Sequence, residues 1–260
     1  MIFKKTPEEL LIMREGGKAL AEILKLLATQ VKEGASTADI DKEGERRIRN
    51  IGGEPAFKGY RAFDIPTPFP GSVCISINEE IVHGSPYPDR IFKEGDVVKL
   101  DIGMKYKGLF VDMATTVGVG RITENKQDLI DVCKKSLQLV IEELKELVPQ
   151  GRATTATIGR VIQEYVEGSG FEVVRELVGH GIGRALHEDP SVPNFITKKQ
   201  GDILLPGMAI AVEPMIYQGP AGVSFERNGW RVFTTHGGVA AHFEHSIAIY
   251  KDGIVVLTEN

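Results

Sequence analysis

The chain has 260 residues, 31 Lys and Arg against 36 Asp and Glu, and a formal net charge of -5, with 42% apolar and 26% charged residues. That balance is that of one globular domain spanning 1–260, and it excludes a disordered chain or one drawn to nucleic acid by bulk positive charge. Two cysteines exclude a disulfide framework, and neither a signal peptide nor a membrane-spanning apolar run is legible, so a cytoplasmic protein that does not engage the membrane is expected.

In chain order, Thr6, Pro7 and Glu9 form a helix-starting capping box, followed by apolar residues at helical spacing from Leu10 to Leu27. A second helix is predicted from Thr37 as cap through Ile40, Ile48 and Ile51, stopped by Gly52-Gly53. Residues 54–72 are rich in proline and glycine and read as an extended loop, and 73–78 alternate like a strand. Two β-rich runs, 96–103 and 109–119, flank Tyr106-Lys107-Gly108 and predict an antiparallel hairpin. A long amphipathic helix starts at Thr123 and ends before Pro149, and a shorter one occupies about 155–167. Strand-like text then returns at 171–176, 208–217, 230–235, 243–250 and 254–258. The order of helix, helix, strands thus occurs twice, in about 1–120 and 121–260. Without regular βαβ alternation it favours an α+β fold whose halves share one sheet.

Against this background four acids stand out. Asp101 and Asp112 lie on opposite arms of the predicted hairpin, and Glu213 and Glu244 lie in strand-like apolar text of the second half. Any one of them would ordinarily face solvent or pair with a base. As a set they lack counter-charges, since only Lys99, Lys105 and Lys107 are near, and burying them unpaired would be costly. Two divalent cations would balance the four charges, with His180, flanked by glycines in VGHGIG, as a neutral fifth ligand. Oxygen-rich ligation with one imidazole suits Mn, Fe, Co or Zn, and such a pair of ions points to a hydrolase. His83 and His187 suit either a hydrogen-bonded loop role or donation to a substrate carbonyl or amide. His236, His242 and His245 read as structural or solvent-facing, Cys133 as helix core, and Cys74 as strand core or pocket lining.

The ordered set Asp101, Asp112, His180, Glu213 and Glu244 resembles the ligand series of the methionine aminopeptidases, metallopeptidases of the pita-bread fold. The surrounding words VCISINEEIVHG, LDIGMKYKGLFVDMATT, GHGIGRALHEDP, AVEPM and FEHSIAI match as well, and the likeness covers nearly the whole chain. The resemblance implies a fold with an internal pseudo-two-fold, a central antiparallel sheet and flanking helices. It implies two divalent metals held by the five ligands, with Glu213 also the general base. His187 would polarise the scissile carbonyl and His83 would contact the scissile amide. Phe57, Tyr60, Phe69, Cys74 and Trp230 would line a pocket for the methionine side chain, where a thioether suits aromatic walls. Removal of the initiator methionine from nascent polypeptides, with a small second residue preferred, is the implied activity. A cytoplasmic monomer, with or without ribosome contact, is the implied setting.

Two departures bear on the pocket: GYRAFDIPTPFPGSVC is about six residues longer than the common form, placing the 63–69 stretch out of pattern, and Leu186 stands where many members have an aromatic. With no zinc-finger extension or long late insertion, the chain resembles the short type I enzymes. Three other readings compete, one of them a soluble α+β ligand-binding module, which leaves the four strand acids unexplained. An Xaa-Pro aminopeptidase or prolidase shares the fold but usually carries a sizeable preceding domain, whereas here the catalytic text starts almost at once. A non-catalytic adaptor would be expected to have lost metal ligands.

Overall fold

A computed structural model describes residues 2–62, 65–198, 200–220, 222–227 and 229–259. Helix α1 (Pro7–Gln30) starts as its sequence predicts. The Thr6 hydroxyl accepts from the Glu9 amide, and the Glu9 carboxylate accepts from the Thr6 amide at 2.7 Å. A side chain at Gly17 would collide with the Leu257 carbonyl, so this mid-helix glycine lets α1 lie directly on the end of the chain. Helix α2 (Thr37–Asn50) is capped one residue earlier than expected. Ser36 accepts from the Asp39 amide, which frees the Thr37 hydroxyl to bond the Pro86 carbonyl. Helices α3 (Glu124–Leu147) and α4 (Thr155–Gly168) follow the predicted pattern, and Thr154 and Thr157 cap α4 reciprocally.

The strands are β1 (Glu54–Pro55), β2 (Val73–Ile77), β3 (Glu80–Val82), β4 (Val97–Tyr106) and β5 (Leu109–Gly118), then β6 (Glu172–Val173), β7 (Gly179–Gly181), β8 (Glu188–Val192), β9 (Ala209–Val212), β10 (Met215–Tyr217), β11 (Val223–Phe225), β12 (Val232–Thr234), β13 (Ala240–His242), β14 (Glu244–Tyr250) and β15 (Gly253–Val256). The predicted hairpin is β4–β5. Lys107 and Gly108 turn it with φ of 47° and 88°, the left-handed pair that a two-residue hairpin needs.

The main sheet runs β1-β4-β5-β14-β9-β7-β8, with β2 also on β4 and β15 on β14, and its pairings are antiparallel. The halves read from the sequence meet where β5 pairs with β14, so one sheet crosses from one to the other. Apolar side chains of α1 and α2, such as Leu20, Leu24 and Ile40, are buried with Ile75, Leu100 and Ile102 of β2 and β4. Those of α3 and α4, such as Leu137, Val140 and Ile162, join Ile210 and Ile247 of β9 and β14. Each such side chain contributes about 1.5–3 kcal/mol by leaving water.

The expected strand 208–217 is two strands. Pro214 has no N–H to continue a ladder, so the chain breaks at Glu213-Pro214 and passes from β9, paired with β14, to β10, paired with β13. The three-residue strands β3, β7, β11 and β13 are too short to show a period, and β8 carries Glu188, Asp189 and Pro190 in place of strand-forming residues, so the sequence does not announce them.

Candidate metal centre and substrate cleft

Register explains how five residues from distant parts of the chain come to one face. Asp101 on β4 pairs with Ala114 on β5, and Ala114 pairs in turn with Glu244 on β14. A single row therefore carries two acids with a methyl between them. Asp112, two residues from Ala114, points to the same face and is diagonal to both acids. Extending the pairing of His245 with Val212 by one residue sets Glu213 beside Glu244. His180 pairs with Ala211 and so lies diagonal to Glu213 on the same face. The alanines in these rows are small, and Gly103 opposite Asp112 makes room for the Phe57 ring, which packs where a side chain would be.

The centre is buried and short of partners. Asp101, Asp112 and Glu244 are 8%, 4% and 2% exposed, and Oδ1 of each aspartate and Oε1 of Glu244 make no hydrogen bond. Among the described residues no Lys or Arg pairs with the cluster. The groups that approach Glu213 are imidazoles, His180 Nε2 at 3.6 Å from Oε1 and His242 Nε2 at 3.6 Å from Oε2. Burial pushes Asp101 up to about 7 and Glu213 up to about 8. Burial and the neighbouring acids raise Asp112 and Glu244 well above the usual carboxylate range.

His180 lies against the Gly181 carbonyl through Nδ1 at 2.9 Å, and donation there leaves the Nε2 lone pair facing the acids. Burial lowers its pKa to about 3 and keeps the ring neutral. Ligand atoms of Asp112, His180 and Glu244 lie within 4.8 Å of one another. A buried set of hard oxygen donors, with unpaired lone pairs, no cationic side chain and one neutral imidazole, fits divalent cations.

These residues form the floor of a cleft of about 860 Å³. Its wall carries every sequence-predicted pocket residue. Phe57 and Phe69 meet edge to face at 6.5 Å, Phe69 and Trp230 at 5.5 Å, and Tyr60 lies 6.2 Å from Trp230. Cys74 pairs across β2–β4 with Asp101, so the thiol marks the border between pocket and acids; burial and Asp101 raise its pKa and keep it protonated. Trp230 is tied down through its indole N–H to the Thr67 carbonyl at 3.0 Å. Phe63 and Asp64, within the out-of-pattern 63–69 stretch, lie outside the described residues, while Ile65 and Phe69 line the cleft. Leu186 is buried in the same wall.

His187 stands where the two regions meet. Its ring is 4.4 Å from that of His180, and the Tyr60 hydroxyl is 2.8 Å from its Nδ1. Glu188 holds the turn before it by accepting the amides of Arg184 and Ala185, and is paired at 2.6 Å with buried Lys5. His83 also faces the cleft, with φ of 58°, and the next residue, Gly84, is so close to the Ile75 carbonyl that no side chain fits. Burial lowers the His83 pKa to about 4.

The other histidines sort differently. His236 is exposed, and His245 points to the opposite sheet face, with Nδ1 against the Thr258 hydroxyl, as the sequence implies. Cys133 is helix core. His242, set aside as structural or solvent-facing, is 1% exposed and abuts Glu213. The signal for it was its place two residues before Glu244, masked by the bend at Phe243 between β13 and β14.

Comparison with known proteins agrees with this geometry. Residues 12–251 match the model of metallopeptidase family M24. The chain is 43% identical over 258 residues to methionine aminopeptidase 1 of Bacillus subtilis, covering 99% of each chain. It superposes on the crystal structure of a methionine aminopeptidase from Thermotoga maritima with a TM-score of 0.92 and 38% identity, covering both chains fully. An Xaa-Pro dipeptidase from Bacillus anthracis shares the fold at 21% identity and a TM-score of 0.73, with 99% of this chain matched to 62% of that one. The fold is thus the pita-bread fold, and the chain belongs to metallopeptidase family M24.

Proposed function

We infer that the protein is a metalloaminopeptidase that removes the initiator methionine from the N-termini of new proteins, with a small second residue preferred. The observation that carries this reading is the direct join of two regions, a buried carboxylate and imidazole cluster that shares one cleft with an aromatic pocket, with a protonated thiol at their border. A second support is the high identity to methionine aminopeptidases over the full chain, against a fold-level likeness to Xaa-Pro dipeptidases.

Asp101, Asp112, His180, Glu213 and Glu244 would hold two divalent cations drawn from Co, Mn, Fe or Zn. When bound, the cations supply Lewis acidity that makes water nucleophilic near neutral pH and draws electron density from the scissile carbonyl. The chain's own groups do the rest. Glu213 takes the proton from the attacking water and passes it to the departing amine. With the Tyr60 phenol donating to Nδ1, the neutral His187 ring keeps its proton on Nε2, free to donate to the carbonyl oxygen as charge builds there. His83, neutral as well, is placed to contact the scissile amide. Phe57, Tyr60, Phe69, Cys74 and Trp230 receive the thioether and exclude water from it. The concentrated acids suit a free α-amino group at the floor, which limits attack to the first peptide bond.

We read 1–260 as one catalytic domain working as a cytoplasmic monomer on chains leaving the ribosome. Among the described residues no helix is long and apolar enough to cross a membrane. The deciding experiment offers Met-Ala-Ser and an Xaa-Pro peptide to metal-stripped protein refilled with Co, Mn, Fe or Zn. Free methionine from the first peptide alone is the expected result. Cleavage of the Xaa-Pro peptide alone would move the protein to the prolidase branch, and cleavage of neither with any metal would favour an adaptor.

A further inference from the structure

The Glu213 carboxylate lies between two imidazoles. His180 Nε2 faces Oε1 and His242 Nε2 faces Oε2, each at 3.6 Å. Only the first imidazole belongs to the ligand set. His242 is 1% exposed, its backbone amide is taken by the Thr116 hydroxyl, and both of its ring nitrogens lack a hydrogen-bond partner. A buried imidazole with two unused nitrogens costs stability unless something else employs it. Its other charged neighbours, Asp101 and Lys99, are engaged elsewhere. Asp101 belongs to the ligand row, and the Lys99 ammonium donates to the Asn78 carbonyl at 2.8 Å.

We infer that His242 is a positioning residue for the metal centre: its ring N–H holds Oε2 of Glu213 and thereby directs Oε1 toward the ligand space beside His180. A carboxylate free to rotate would present either oxygen, or both, and would lose orientation each time a cation bound. The present 3.6 Å exceeds a hydrogen bond, so the proposed bond requires one of the two side chains to shift toward the other. Residues that orient a metal ligand in this way typically change metal affinity by about 10–100-fold when removed. This inference rests on the proposed role of Glu213 as a ligand.

The test measures Co(II) affinity by titration of metal-stripped protein, alongside thermal unfolding of the same metal-free samples. His242→Leu keeps the bulk and removes both unpartnered nitrogens, so the melting temperature of the metal-free protein should hold or rise. The Co(II) dissociation constant should rise by about 10–100-fold. His242→Gln, which restores an N–H, should recover most of that loss, and it carries the test should the leucine variant fail to fold. In a Glu213→Gln background the further change His242→Leu should add little. Wild-type affinity in His242→Leu, or an equal penalty in both backgrounds, would overturn the assignment. Failure of the underlying reading looks different, because Glu213→Gln alone would then bind Co(II) as tightly as the wild type.

Discussion

The acid floor of the cleft and its aromatic wall adjoin at Cys74 and His187, yet they are built by opposite means. The floor stands on paired strands, where register leaves Asp101, Asp112, Glu213, Glu244 and His180 no choice of face. The wall is assembled largely from connecting segments. Phe57, Tyr60 and Phe69 come from the 56–72 stretch, His187 from the turn before β8, and Trp230 from the turn before β12. Rigid strands suit groups that must hold charge at fixed separations, while loops can differ in shape without disturbing those separations. On the proposed reading, chemistry and selectivity are therefore separable in this molecule.

The harshest way to break that separation is on the floor. Asp112→Ala or Glu213→Ala should lower turnover of Met-Ala-Ser by about 10^3-fold or more while the circular dichroism remains that of the folded protein. Wild-type turnover in both would mean that the floor is not the reaction centre.

Stability without metal tests the same floor from the other side. In the folded protein Asp101 is raised to about 7 and Glu213 to about 8, against about 4 when unfolded. The folded chain then keeps protons that the unfolded chain has lost, so stability falls as pH rises from about 4 to about 8. Asp112 and Glu244 act in the same sense. Lys99, lowered to about 7 by burial, opposes them above that pH, and Lys5, also lowered by burial, acts with it, two groups against four. The lowered histidines His83, His180 and His242 cost stability only below about pH 6.5. Chelated protein should therefore melt several degrees lower at about pH 8.5 than at about pH 6.5. Saturating Mn should remove the slope, adding about 2.7 kcal/mol at a hundredfold excess over its Kd. A flat profile without metal would show the acids compensated within the chain itself.

The mildest change is on the wall. Trp230→Ala opens the methionine pocket and frees the Thr67 carbonyl. It should raise KM for Met-Ala-Ser by about tenfold with kcat nearly kept, and it should narrow the preference for methionine over leucine at the first residue. An equal fall in kcat would show that wall and floor are coupled through Tyr60 and His187 after all.

What could be read beforehand follows the same division. Asp101 and Asp112 were legible because the Lys107-Gly108 turn sets the hairpin register, and acids in apolar strand text are conspicuous. The capping box of α1 is local and holds to the residue, whereas the α2 cap moved to Ser36 because a tertiary contact engages Thr37. Glu213 was found as an acid but misplaced in mid-strand, since Pro214 breaks the ladder there. His242 was passed over because a lone histidine gives no sign of burial. The Tyr60 bond to His187 joins residues 127 apart in sequence, and no spacing rule reaches so far.

By itself, then, the sequence determined which residues carry charge into the sheet, where the helices begin, and the family likeness. These depend on short-range capping, turn chemistry and the cost of burying an acid. Only the tertiary structure decided that strands from the two halves would pair between β5 and β14, closing the acid rows. It also decided that Glu213 would lie between two imidazoles and that loop aromatics would meet over the thiol. Such contacts are set by long-range packing, whose energies are summed over the whole fold rather than written in any one segment.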